Sequence, residues 1–100
     1  MSQNFPLYNA GLQIAAGAAT STAQIAATAA ELAADDVLIY NPGPGVVHVR
    51  AGGAAVTADA TCMPVGPKTK EVFSKGGHTH LAVLSPSGAQ SILVFLGTGA

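Results

Sequence analysis

The stretch "VLIYNPGPGVVHVRAGG", residues 37–53, constrains the fold of this chain more than any other. An apolar and aromatic run enters a knot of Asn, Pro and Gly, and the apolar pattern resumes directly after it. Pro42, Gly43, Pro44 and Gly45 cannot continue a strand, so they reverse the chain. "DVLIYN" sets Val37 and Ile39 against Leu38 and Tyr40, in residue types that favour strands. "VVHVR" sets Val47 and Val49 against His48 and Arg50, and Gly52 and Gly53 end it. The pattern predicts two strands folded back on each other as a hairpin with a four- or five-residue loop.

Short apolar runs and turn signals continue to alternate. "AAVTA" (54–58) predicts an edge segment. Pro64 and Pro67 place "CMPVGPKTK" on an edge or in a loop, because proline donates no ladder hydrogen bond. "KEVFS" (70–74) predicts a short strand before Gly76-Gly77. A second hairpin is expected from "THLAVLS" (79–85) through Pro86, Ser87 and Gly88 to "QSILVFLG" (90–97). In that last strand Ile92, Val94 and Leu96 face one side, and Leu93 and Phe95 the other. A half-exposed antiparallel strand carries polar residues on its outer face. This one is expected to be covered on both faces, with another subunit as the second cover.

Residues 10–34 hold twelve alanines in twenty-five positions. Alanine has the highest helix propensity, yet no charge precedes Glu31 to support an exposed helix by ion pairs. Gly17 and "TST" at 20–22 divide the segment into "LQIAAGA" and "TAQIAAT", read as small-residue strands around a turn. A helix over roughly 23–34 is the alternative reading. The whole pattern predicts an all-β chain: a single small β-sandwich or jelly-roll-like barrel of six to eight short antiparallel strands over 12–100, preceded by an N-terminal arm, 1–11.

Composition narrows the function. Nine of 100 residues are charged and the net charge is −1, which leaves no basic footprint for nucleic acid and no polybasic membrane patch. The longest apolar run, Ile92 to Leu96, is far short of the roughly 20 residues of a spanning helix. "MSQNFPLYNAG" lacks the basic start and apolar block of a signal peptide. A single cysteine, Cys62, excludes an internal disulfide. The expectation is a protein made in the cytoplasm whose surface is covered, since so little charge keeps copies apart.

Candidate chemistry is sparse. His78 and His80 would share a strand face and resemble part of a cupin-type metal site, but neither Glu nor His follows them, so His80 is read as packing beside the sheet and His78 as lying in the loop after two glycines. Cys62-Met63 lacks the nearby His of a blue-copper site and reads as a buried thiol. Asp35-Asp36 reads as a turn or the loop after a helix, and Ser85, Ser87 and Ser91 lack a base in any recognised arrangement. No catalytic residue, metal or cofactor is expected. Lys68, Lys70 and Lys75 form the one local positive group, suited to an acidic protein surface or to guarding a strand edge. Phe5, Leu7 and Tyr8 lie outside any periodic element, as residues of an arm docking on a neighbouring subunit or on its own sheet. With Leu93 and Phe95, these are the predicted partner-interface residues.

The order of signals in "VLIYNPGPGVVHVRAGG", then Pro64-x-Gly66, then "FSKGGHTHLAVLSPSGAQSILVFLGTGA" resembles a group of small phage proteins encoded with virion morphogenesis genes. Those proteins carry a "LLYN-G" hairpin and a "TH-A-I-A-SGTA-LYVT-G-G" ending. The likeness covers residues 35–100 and departs at "LVFLGTGA", where the family more often has a polar "GEG". The resemblance implies a small all-β, non-enzymatic structural protein of a tailed-phage virion, assembled in the host cytoplasm, which decorates or cements the capsid. Its partners would be itself, with a homotrimer favoured over a dimer, and the major capsid protein or another virion protein. A carbohydrate- or receptor-binding module of a tail or fibre is the alternative, opposed by the shortage of aromatics: no Trp, two Tyr and three Phe. A small cupin-like enzyme would require the His pair to be a site.

Overall fold

A computed structural model describes residues 12–97. Its strands are β1 (Leu12–Ala16), β2 (Ser21–Gln24), β3 (Asp36–Asn41), β4 (Val47–Gly52), β5 (Met63–Val65), β6 (Thr69–Ser74), β7 (His80–Leu84) and β8 (Gln90–Gly97). One short helix, α1 (Ala29–Ala33), lies between β2 and β3. The strands form two antiparallel four-stranded sheets, ordered β1-β8-β3-β6 (sheet A) and β2-β7-β4-β5 (sheet B). This is an eight-stranded jelly roll, and the all-β sandwich reading holds.

The two predicted hairpins are not hairpins. β3 pairs with β6 and β8, whereas β4 pairs with β5 and β7 in the other sheet. β7 and β8 are likewise divided between the sheets. A turn signal specifies that the chain reverses; it does not specify whether the returning strand lies beside or across. The connection 42–46 is long enough to step the roughly 10 Å between packed sheets, which a two-residue turn is not. Among consecutive strands only β4 and β5 pair directly. The segment 54–58 is also not a strand; it belongs to the loop joining those two.

The inner layer follows from the period-2 pattern. Val37, Ile39, Val47, Val49, Leu81, Val83, Ile92, Val94 and Leu96 are all buried in one cluster with Ile14, Ile25 and Val65. Burying each such side chain stabilises by about 1.5–3 kcal/mol before entropy is counted. The alanine-rich segment supplies strands β1 and β2, as read from Gly17 and "TST", and also a five-residue helix. Thr28 caps that helix: its hydroxyl accepts from Glu31 N–H at 3.2 Å, while the Glu31 carboxylate accepts from the N–H groups of Ala27 and Thr28 at 2.9 and 3.1 Å. This capping box holds one helical turn in place.

The Pro-Gly corner is built around two side chains. Asn41 is fully buried; its carboxamide NH2 donates to Gly45 O (2.8 Å) and Val65 O (3.0 Å), and its oxygen accepts from Gly43 N–H (3.0 Å). It therefore ties the end of β3 in sheet A to β5 in sheet B. Gln90 pairs with the backbone of Gly45 through both ends of its amide, at 2.8 and 3.3 Å. A Cβ at Gly43 would overlap the Gln90 amide, and one at Gly45 the Ser87 hydroxyl, so a side chain at either position would displace these groups.

Loop 53–62 folds back over the outer face of sheet B. Val56 sits against Gly52, and its carbonyl accepts from the Thr22 hydroxyl at 2.7 Å. Ala58 N–H donates to Thr20 Oγ1 at 2.8 Å, and the His48 ring nitrogen Nδ1 lies 3.0 Å from Cys62 O. Ala58 of the strap and Ala82 of β7 are both buried although neither belongs to the core cluster.

Replacing Asn41 by Ala removes three hydrogen bonds at a dry corner and is expected to destabilise the fold by about 2–4 kcal/mol in urea denaturation; a loss under about 0.5 kcal/mol would show that the corner does not hold the sheets together. Gly52→Ala places a methyl 2.7 Å from Val56 Cγ2. It is expected to raise amide hydrogen exchange selectively across residues 53–62, and unchanged protection there would show that the strap is not seated on Gly52.

Candidate interaction surface

Among the described residues, no loop crosses the outer face of sheet A as the strap crosses that of sheet B. Strand register aligns its outward residues in rows: Phe95 beside Leu38 beside Val72, and Gln13 beside Leu93 beside Tyr40 beside Lys70. A third row sets Gly97 beside Asp36 beside Ser74. Leu38, Tyr40, Val72, Leu93 and Phe95 are half-buried by one another and remain partly open to solvent. Side chains directly opposite across strands stand about 4.5–5.5 Å apart, so these five form one continuous apolar patch. Asp36 and Lys70, of opposite sign, stand in its two flanking rows.

Leu93 and Phe95 thus lie where the doubled apolar pattern of β8 placed them, on the face opposite Ile92, Val94 and Leu96. Leu38, Tyr40 and Val72 extend the patch, although the sequence reading did not single them out. The signal was present, since the same alternation in β3 assigns Leu38 and Tyr40 to the outer face, but only the register shows that they adjoin Leu93 and Phe95. Phe5, Leu7 and Tyr8 lie outside the described residues.

The three lysines do not make one patch. Lys70 stands on the outer face of sheet A. Lys68, at the start of the same strand and with a φ of 60°, donates from Nζ to Pro42 O at 2.8 Å. Lys75, past the other end of β6, is 1% exposed. Its ammonium donates to Gly76 O (2.8 Å) and His78 O (3.3 Å), and its backbone N–H to Asp35 O (2.6 Å). Lys75 is therefore a fastener for the β6–β7 loop rather than a contact for an acidic partner. Burial lowers its pKa from 10.5, with the Asp35 carboxylate opposing the shift.

The histidines also separate. β7 begins at His80, so His78 sits in the preceding loop, exposed, and the strand spacing that would aim both rings at one metal does not apply. His80 Nδ1 lies 2.7 Å from Thr79 Oγ1. Among the described residues no three His, Cys, Asp or Glu side chains converge as a metal site. Cys62 is half-buried rather than buried, and its sulfur exchanges hydrogen bonds with Asp59. The hydroxyl and then the backbone N–H of Thr61 hold the Asp59 carboxyl below its ordinary pKa.

Because β5 spans three residues and its neighbour β4 six, the sandwich gapes past Met63. A cleft of about 510 Å³ opens there onto Val37, Val49, Phe73 and Leu81, with Arg50, Thr61, Cys62 and Ser74 among its lining. The imidazole nearest the thiol, His48, is engaged with the Cys62 carbonyl rather than its sulfur. The cleft holds apolar surface, and the thiol at its lining donates to the Asp59 carboxylate.

The lowered Lys75 pKa has a definite sign. Below its folded value the residue is charged in both the folded and unfolded chain, and the burial penalty is fully present. As pH rises from there to 10.5 the folded chain loses the proton first, so the contribution of Lys75 to stability increases. Wild type is expected to gain stability relative to Lys75→Met as pH rises toward 10.5 in paired urea titrations. A constant difference across that window would refute a burial penalty on the charge.

No protein-family profile matches the chain, and no curated protein sequence matches it. Among solved structures, a chain of the Bacillus endospore appendages, described as a novel family of disulfide-linked pili, aligns over 97% of this chain and 93% of its own. The two share 16% sequence identity with a TM-score of 0.46.

Proposed function

We propose that the protein is a non-enzymatic structural subunit that works by self-association, and that it serves on the exterior of a tailed-phage virion as a capsid decoration or cement protein. The observation that carries this reading is the difference between the two outer faces. Sheet B is crossed by its own loop 53–62, whereas sheet A, among the described residues, presents Leu38, Tyr40, Val72, Leu93 and Phe95 with few polar neighbours. A contiguous apolar patch of this kind marks an interaction surface. The low charge, nine residues in 100, favours a subunit that is covered in its working state.

The virion assignment draws on the likeness of residues 35–100 to small phage morphogenesis-associated proteins. In that setting the subunit bridges neighbouring capsid proteins and adds buried area where internal pressure separates them. Many weak, repeated contacts then act together through high effective concentration. The fibre-module alternative receives less support, since Phe73 is the one aromatic lining the cleft.

Immunogold labelling of purified virions of the encoding phage, with antibody raised against the chain, tests this assignment. Regular label over the heads, with the chain present at many copies per particle by quantitative mass spectrometry, is the expected result. Label restricted to tail fibres would favour the receptor-binding alternative, and virions free of the chain would overturn the reading.

A further inference from the structure

We infer that the cleft past Met63 is a strand slot, filled by Phe5-Pro6-Leu7 from the N-terminal arm of a second copy, paired on the edge of β4 at Ala51. The inference rests on the self-association part of the proposed function and adds to it a contact between two different surfaces.

The open edge follows from hydrogen-bond alternation. In an antiparallel ladder one residue turns its N–H and C=O toward one neighbouring strand, and the next residue turns them toward the other. Ile25 N–H donates to Thr79 O at 2.8 Å, so Thr79 faces β2, and the alternation turns His80 and Ala82 toward β4. Their partners Gly52 and Arg50 face β7, which leaves Val47, Val49 and Ala51 facing β5. Pro64 agrees with this phase, because it has no N–H and stands opposite His48, where none is used. β5 sets Val65 against Val47 and Met63 against Val49 and then ends, so no residue of β5 stands opposite Ala51. A longer β5 would bring Thr61 there. Instead the N–H groups of Thr61 and Cys62 both turn onto Asp59, at 2.8 Å from its carboxylate and 3.0 Å from its carbonyl.

A strand residue placed opposite Ala51 projects inward, into the cleft lined by Val37, Phe73 and Leu81. Met63 marks the mouth of that cleft: it shares the inward phase of β5 with the buried Val65, yet it is 56% exposed. The slot therefore suits an extended segment with apolar side chains two positions apart and a middle residue that needs no N–H toward β4. That pattern is apolar-Pro-apolar, the pattern of Met63-Pro64-Val65 itself. Outside residues 12–97 the chain holds it once, at Phe5-Pro6-Leu7.

Reach assigns the arm to a second copy. The arm joins the sandwich at Leu12 on β1, and β1 and β6 are opposite edges of sheet A. Register sets Leu12 level with Val94, Ile39 and Glu71, two residues short of Phe73. From Leu12 the slot lies about 14 Å across three strand spacings, about 7 Å along the strands and about 10 Å down to sheet B. The straight line of about 19 Å runs through the core, and any path around the sheet is longer. The five steps from Leu12 to Leu7 reach about 18 Å at full extension. A chain cannot bring Leu7 to its own slot, whereas a neighbour's arm enters from outside.

Disulfide trapping on the full chain tests the placement, since Cys62 lines the cleft and is the one cysteine of the sequence. A chain carrying Tyr8→Cys with Cys62→Ser, which keeps Phe5-Pro6-Leu7 intact, is mixed with wild type under mild oxidation. The expected product, mapped by peptide mass spectrometry, joins the introduced thiol to Cys62 of the wild-type chain. Ser2→Cys in the same background is expected to give at least about tenfold less of it, because the thiols are then held too far apart. In a chain with Tyr8→Cys alone, a disulfide formed within one monomer would overturn the assignment to a second copy. Phe5→Ser combined with Leu7→Ser is expected to weaken self-association about tenfold in sedimentation equilibrium over about 5–500 µM, and circular dichroism establishes that each variant remains folded. If wild type associates but this double variant associates equally well, the slot reading fails while self-association stands. A wild type monomeric at every concentration overturns both.

Discussion

The apolar layer between the two sheets is the constraint on which the rest of the structure depends. Eight short strands, none with a self-sufficient partner next in sequence except β4 with β5, are held by side chains such as Val37, Ile39, Leu81, Val83, Ile92 and Val94. Non-local pairing of this kind yields no stability until distant segments meet. The corners therefore have to be specific. Asn41 and Gln90 each turn a carboxamide onto backbone groups that a sheet ladder would otherwise satisfy, and the glycines at 43 and 45 make room for that contact. Polar atoms at a buried corner stabilise only when every one is paired, and here the Asn41 carboxamide is paired on both ends.

Once the inner layer is closed, a two-sheet sandwich still has two outer faces. This chain treats them differently. Over sheet B it spends the ten residues 53–62 as a strap whose small side chains, Val56 and Ala58, lie on an equally small surface around Gly52 and Ala82. Over sheet A it places bulky apolar residues on adjacent strands, with nothing comparable to the strap among the described residues. In a chain with nine charges there is little repulsion to offset the gain from covering such a face. The apolar content that looked excessive in the linear chain is divided between the core and that one face.

Lys75 shows how far the meaning of a residue depends on place. By composition it counts as one of three lysines within eight positions, 68 to 75. In the fold its ammonium faces backbone carbonyls of the β6–β7 loop, its backbone holds Asp35, and burial lowers its pKa. Lys68 is likewise engaged, with Pro42 O at the opposite end of β6. Only Lys70, with its outward position on the strand, remains available to a partner.

What the sequence determined by itself was local: the strands, their inward and outward alternation, the reversals at Pro and Gly, and the doubled apolar face of β8. Those follow from backbone sterics and a two-residue period, which act over neighbours in the chain. The capping box of Thr28 and Glu31 was equally legible, yet alanine content and the absence of ion pairs drew attention away from it. Tertiary structure alone decided that β3 and β4, or β7 and β8, stack across the core instead of pairing beside each other. A proline–glycine turn is compatible with either, and the choice rests on burying Val47, Val49 and Val83 against the opposite sheet. It also decided that Leu38, Tyr40, Val72, Leu93 and Phe95 adjoin, because register between strands thirty or more residues apart is set by the whole inner layer and by no local signal.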